Sequence, residues 1–193
     1  MTWCLVGSEM CIRDRMQTTC RHSFNMKSEK SRNNIYIFAL FLFIIVSDQI
    51  TKVLAVNNLS YGEEIPVTSN FNLFLIFNTG AAFSMMSDGF IWQKIILIFF
   101  PVLVVLFFFY TTYFSEQKQT YFKLGICLIA GGAFGNLIDR ILYGYVIDFI
   151  DLYISNYHWP TFNIADSSIT IGACIIMYHE IKSCLLYTSD AAD

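Results

Sequence analysis

Charge is scarce in this chain: only 14% of its 193 residues are Asp, Glu, Lys or Arg, where a soluble domain carries about 25%. The formal charge of −3 supplies no basic face, which argues against nucleic acid as a partner. Histidine is sparse too. His158 and His179 have no ligand-spaced neighbours, so no metal site is expected, and the chemistry read below requires no cofactor. Ser84 and Ser167 lack a recognisable base, and Cys174 sits deep in an apolar run where a thiolate is disfavoured. What is abundant is apolar: 55% of residues are hydrophobic, with 19 Phe and 11 Tyr. They gather in three long runs and a fourth, more interrupted one, the pattern of a small multispanning membrane protein.

Both ends are set aside from the fold. Met10-Cys-Ile-Arg-Asp14 is the translation of ATG TGT ATA AGA GAC, and Cys184-Leu-Leu-Tyr-Thr-Ser189 that of TGT CTC TTA TAC ACA TCT. These are the two strands of a transposon end used in sequencing libraries, so residues 1–15 and 184–193 are read as adapter read-through. The remaining chain starts at Met16 or Met26 and keeps only Cys20, Cys127 and Cys174, which is no disulfide framework. Residues 16–34 form an N-terminal segment, and 35–183 a membrane domain.

Helices are expected over about Ile35–Val56, Phe90–Tyr113, Tyr121–Leu142 and Ile164–Ile181. Pro101 should bend the second, and the Phe99–Tyr110 stretch reads as a lipid-facing surface. Arg21, Lys27, Lys30 and Arg32 precede the first helix, Lys118 and Lys123 flank the second loop, and Lys182 follows the fourth helix. This bias predicts cytoplasmic termini, with 57–89 and 143–162 outside. The first helix, long and charged, does not resemble a cleavable signal peptide. Alternation from Asn70 within Ile65–Phe77 predicts a strand or hairpin in 57–89, a small sheet on the outer membrane face.

Two carboxylates stand out, Asp148 in Val-Ile-Asp-Phe-Ile and Asp166 in Phe-Asn-Ile-Ala-Asp-Ser. A carboxylate costs about 2.5–3.5 kcal/mol at the centre of a membrane helix on insertion scales, so one is usually retained for function. Apolar neighbours and the absence of a nearby cation should bias Asp148 neutral. With Asn163 as N-cap, Asp166 falls in a first helical turn, where the dipole favours charge. One neutral and one charged carboxyl suit an aspartic protease, although Asp166 also reads as a simple capping residue. If the two share a proton, these roles can reverse.

Asp48 and Lys52 share a helix face, as a structural ion pair or as substrate contacts. Gly132, Asn136, Asp139 and Arg140 form one face of the third helix, with Asp139 an orienting carboxylate and the main rival for a catalytic place. A transporter or assembly subunit would also use buried charge, but explains less well why carboxylates cluster at one membrane face. The Gly-x-Gly-Asp motif of another intramembrane protease class is missing.

Five segments together resemble the lipoprotein signal peptidases, or signal peptidase II. They are Asp48-Gln-Ile-Thr-Lys52, Phe77-Asn-Thr-Gly-Ala-Ala-Phe-Ser84, Gly131-Gly-Ala-Phe-Gly-Asn-Leu-Ile-Asp-Arg140, Val146-Ile-Asp-Phe-Ile150 and Trp159-Pro-Thr-Phe-Asn-Ile-Ala-Asp-Ser167, in the family's order. The resemblance implies a bacterial inner-membrane aspartic endopeptidase with four transmembrane helices and a small extracytoplasmic β-cradle between helices 1 and 2. It implies substrates that are diacylglyceryl-modified prolipoproteins, cut on the N-terminal side of the lipidated cysteine, membrane lipid as a partner, and inhibition by the cyclic peptide globomycin. By the same resemblance Asp148 and Asp166 are the catalytic dyad, Asn78, Asn136, Arg140 and Asn163 bind substrate, and Asp48 and Lys52 support them; Gly80 is expected beside the substrate group and Asp139 among the supporting residues. A monomer, with its site near the outer face, is expected.

Overall fold

The computed structural model describes residues 32–80, 91–114 and 120–190. Met1–Tyr36 and Ile37–Asp193 form separate units; of the first, only residues 32–36 are described, and they are helical. The predicted termini at Met16 or Met26, the motif residues 81–84 and the cations Arg21, Lys27, Lys30 and Lys118 lie outside the described residues.

In chain order the elements are helix α1 (Arg32–Asn58), strands β1 (Glu64–Thr68) and β2 (Phe71–Asn78), helices α2 (Ile91–Phe114) and α3 (Thr120–Leu142), strands β3 (Val146–Ile154) and β4 (Tyr157–His158), and helix α4 (Ile164–Asp190). The first three helices are long and apolar enough to cross a membrane. α4 has the length, at 27 residues, but Asp166-Ser-Ser at its start and His179-Glu180 further on interrupt its apolar run. It also continues beyond the expected end at Ile181.

α2 is a continuous helix although Pro101 has no N–H to give the Leu97 carbonyl. Its surface is not uniformly outward. Phe99, Leu106 and Phe107 are exposed, but Phe108 is 1% exposed and stacks on Phe41 of α1, ring centroids 4.9 Å apart. With Ile126, Cys127 and Ala130 of α3 these two rings form the helical core.

The α3–α4 contact depends on glycine. A Cβ on Gly132 would run into the Ala165 carbonyl oxygen, and one on Gly172 would lie 2.6 Å from the Gly125 carbonyl oxygen. The missing side chains let the backbones approach closely. Gly132→Ala is therefore expected to cost about 1–3 kcal/mol of stability through overpacking, read as a lowered Tm in detergent. The clash falls on the residue before Asp166; an unchanged Tm would contradict this packing.

The sheet is antiparallel, in the order β1-β2-β3-β4. The predicted hairpin is present as β1–β2, but the cradle is not confined to the connection between α1 and α2. β3 and β4 come from the connection between α3 and α4, and β3 pairs with β2, for example Ile76 opposite Asp148. The reason lies in burial. Val146–Phe149 is buried residue after residue, so it shows no alternation and carries no strand signal in the sequence. Gly144, at φ 81°, ends α3 in the left-handed region and turns the chain into β3. A second core joins the sheet to the end of α1 through Ala55, Leu59, Leu75, Ile147 and Phe149.

Candidate active site

Asn163 organises the site from the start of α4. Its Oδ1 accepts from the Asp166 amide at 2.9 Å, while its own amide donates to Asp166 Oδ2 at 3.3 Å. This reciprocal cap satisfies two amides that the helix leaves unpaired and fixes Asp166 in the first turn. The Asn163 side-chain amide also donates to Asp148 Oδ1 at 2.7 Å. One residue thus touches both carboxyls, with α4 presenting one and β3 the other.

Asp148 is 2% exposed, and its second oxygen accepts from Asn78 Nδ2 at 3.1 Å. Burial, followed by repulsion from Asp166, pushes its pKa up to about 7; the Asn78 and Asn163 hydrogen bonds and the Lys52 charge pull the other way. Asn78 is held by the Gly80 amide, which donates to its Oδ1 at 3.0 Å, and Arg140 reaches the Gly80 carbonyl at 3.2 Å. Asp166 Oδ1 accepts from Asn136 Nδ2 at 2.8 Å.

Beneath this layer Lys52, 1% exposed, gives its ammonium protons to Asp48 and Asp139, each at 2.8 Å, and to Asn136 Oδ1 at 2.9 Å. Asn136 Oδ1 also accepts from Asn163 at 3.1 Å. With two donors on its oxygen, the Asn136 amide must turn its N–H toward Asp166. The two acids are anchored in turn: Asp48 Oδ1 accepts from the Ala165 amide, Asp139 Oδ2 from the Ile147 amide, and Gln49 donates to both side chains. Asp139, the sequence-level rival, pairs with Lys52, not with the adjacent Arg140.

A cavity of about 660 Å³ opens onto the two carboxyls. Asn78, Asn136, Arg140, Asp148 and Asp166 form its polar end, while Ile96, Phe100, Val104 and Ile171 line the rest. An elongated apolar group with a polar, hydrolysable bond at one end fits this division. Arg140 Nε is buried without a partner there, and the described residues contain no cluster able to hold a metal. All ten candidate residues therefore fall in one connected site, of which Asp48, Lys52 and Asp139 form the inner part.

One group escapes a sequence reading. His158, which looks isolated, places Nδ1 2.9 Å from Asp151 Oδ2, and Asp151 also accepts from Asn72 at 3.1 Å. A spacing of seven across a two-residue turn is the signal, visible only once β3 and β4 are known to pair.

The family described as Signal peptidase (SPase) II matches residues 40–182. The lipoprotein signal peptidase of Cupriavidus taiwanensis is 40% identical over 158 residues, covering 82% of this chain and 89% of that protein. That of Janthinobacterium sp. (strain Marseille) is 44% identical over 141 residues, covering 72% and 84%. Two solved structures, each described as a bacterial membrane enzyme, superpose with TM-scores of 0.70 and 0.67 at 31% identity, covering 77% and 76% of this chain and 89% and 93% of theirs. On a match over most of its length, the chain belongs to the signal peptidase II family of peptidases.

Proposed function

We propose that the protein is an aspartic endopeptidase that removes the signal peptide from diacylglyceryl-modified prolipoproteins, cutting on the N-terminal side of the lipidated cysteine. The observation that carries this reading is the pair Asp148–Asp166, bridged by Asn163 at the polar end of an otherwise apolar cavity. Asp166 removes a proton from water, whose oxygen bonds to the scissile carbonyl carbon. Protonated Asp148 donates a hydrogen bond to the carbonyl oxygen, and a proton then passes to the leaving nitrogen as the C–N bond breaks. The products are a signal-peptide carboxylate and a free amino group on the cysteine. Arg140 Nε, the Gly80 backbone and Asn78 orient the peptide, and the acyl chains occupy the apolar wall. The enzyme works as a monomer in lipid, with four spans, both termini cytoplasmic and the sheet on the outer face of the bacterial inner membrane. Residues 1–15 and 184–193 are adapter-derived, and resequencing of the locus tests this directly.

The test of function is cleavage of a diacylglyceryl-modified prolipoprotein by residues 16–183 in lipid, followed as a gel shift. Cleavage of the modified but not the unmodified precursor is expected; a folded protein that cuts neither would end the proposal.

The pH dependence follows from Asp148. Its proton is needed for the carbonyl, so kcat/KM should fall as pH rises through about 7. Asn78→Ala removes a hydrogen bond that favours ionised Asp148, so the alkaline limb should move to higher pH. A shift toward acid in the Asn78→Ala pH–rate profile would assign that limb to another group.

A further inference from the structure

Asp148 stands at a wall between two cavities. The second, of about 340 Å³, lies on the sheet side and is bordered by Glu64, Ile76, Asp151 and His158. It shares Asn78, Asp148, Trp159, Pro160 and Thr161 with the first. A local irregularity lies in the strand beside it. The amides of Phe149 and Ile150 both point at the Phe162 carbonyl, at 3.2 and 2.9 Å, the hydrogen-bond pattern of a β-bulge. Strand alternation would send Asp148 and Asp151, three residues apart, to opposite faces; with the bulge between them, both line one cavity.

The polar side chains on its wall are hydrogen-bonded to one another through Asn72 behind them. Asn72 and Asp151 are 2% and 3% exposed, whereas the His158 side chain is 48% exposed. Asn72 donates to both Glu64 and Asp151, and Asp151 meets His158. Water is stable in such a space, because it needs room and two to four polar partners. The larger cavity offers no comparable reservoir once an acyl-chain-bearing peptide fills it, yet each cut consumes one water.

We propose that the second cavity conducts the hydrolytic water to the Asp148–Asp166 pair, along a polar wall formed by Glu64, Asp151 and His158. This rests on the dyad reading above. The route separates the two reactants: the lipidated peptide enters through the apolar cavity beside α2, and water arrives from the sheet side. In the reaction its oxygen ends on the new carboxylate, one hydrogen on the leaving nitrogen, and the route refills as the product departs.

The test blocks the route while leaving both carboxyls in place; because Ile76 stands opposite Asp148 in the sheet, Glu64→Leu, away from that pair, must act in the same direction. Ile76→Trp fills the cavity with bulk, and Glu64→Leu removes a polar partner for water. Val67→Trp, on the exposed β1 and lining neither cavity among the described residues, is the control. In lipid, with the diacylglyceryl-modified substrate, Ile76→Trp should lower kcat about tenfold and Glu64→Leu about threefold at unchanged KM, since only a step after binding is affected. Val67→Trp should match wild type. Each change is also made in an Asp166→Asn background, where undiminished substrate binding shows that the fold and the apolar cavity survive. Should Ile76→Trp fail to fold, Glu64→Leu decides by the same split. An unchanged kcat in a folded variant overturns the proposal, and so does a raised KM at constant kcat, which would make the cavity a peptide subsite. Failure of the dyad itself is read separately, from active Asp148→Asn or Asp166→Asn.

Discussion

Asp148→Asn and Asp166→Asn should each lower kcat by at least roughly 10²–10⁴-fold, the usual contribution of a positioned acid or base. Asparagine preserves shape and keeps one acceptor oxygen, at the cost of one of the two N–H bonds each carboxyl accepts, too small a change to account for a loss of that size. The amide introduced by Asp148→Asn would have no acidic proton for the carbonyl oxygen or the leaving nitrogen. The amide introduced by Asp166→Asn could still accept from Asn136, as Asp166 Oδ1 does at 2.8 Å, but could not take a proton from water. Substrate binding should remain near wild type in both, because the apolar wall of the cavity is untouched. Asp139→Asn is the comparison. Its carboxyl sits against Lys52, Gln49 and the Ile147 amide, so cleavage should weaken but persist. If Asp139→Asn were inactive and Asp148→Asn active, the peptidase would stand and the dyad would be misassigned.

The largest effect on stability is expected from Lys52→Met. Asp48 and Asp139 are both fully buried and share this one ammonium. Removing the cation leaves two buried carboxylates facing each other and takes a donor from Asn136 Oδ1. Breaking a buried ion pair from one side costs about 3–5 kcal/mol, a large share of the roughly 5–15 kcal/mol that holds a typical domain together. Thermal unfolding in lipid should show a strong drop in Tm. Adding Asp48→Asn and Asp139→Asn to Lys52→Met should restore much of the Tm, since no buried charge is then left uncompensated. Activity should not return with it, because Asn136 would lose a donor that turns its amide toward Asp166. A triple variant both stable and fully active would remove Lys52 from the orientation of the site; a Tm unmoved by Lys52→Met alone would show that the carboxylates find other compensation.

The two effects differ in what the sequence could reveal. Asp166 was legible because its setting is local: the Asn163 cap and a first-turn carboxyl are written within four residues. The i, i+4 pairing of Asp48 with Lys52 was legible for the same reason. The helix positions followed from apolar run length, which the membrane thickness sets. A hairpin in 57–89 followed from the alternation of residue types from Asn70, although the residues β2 buries, Asn72 and Leu75, are three apart across a register shift.

The rest depended on contacts between distant segments. That Lys52 also serves Asp139 and Asn136 joins residues 84 or more positions apart. That β3 is a strand of the same sheet was hidden by its burial, since Val146–Phe149 carries no alternating pattern. The Asp151–His158 pair and the second cavity lie beside a bulge against Phe162 that no local pattern announces. Local sequence determined which segments are helical, which carboxylate is capped and which residue types are available for acid–base chemistry, because hydrogen bonding and hydrophobic periodicity act over a few residues. Only the tertiary structure decided which carboxyl is desolvated, which amide is locked toward it and where polar space remains, because burial and the partners of a buried charge come from parts of the chain far apart in sequence.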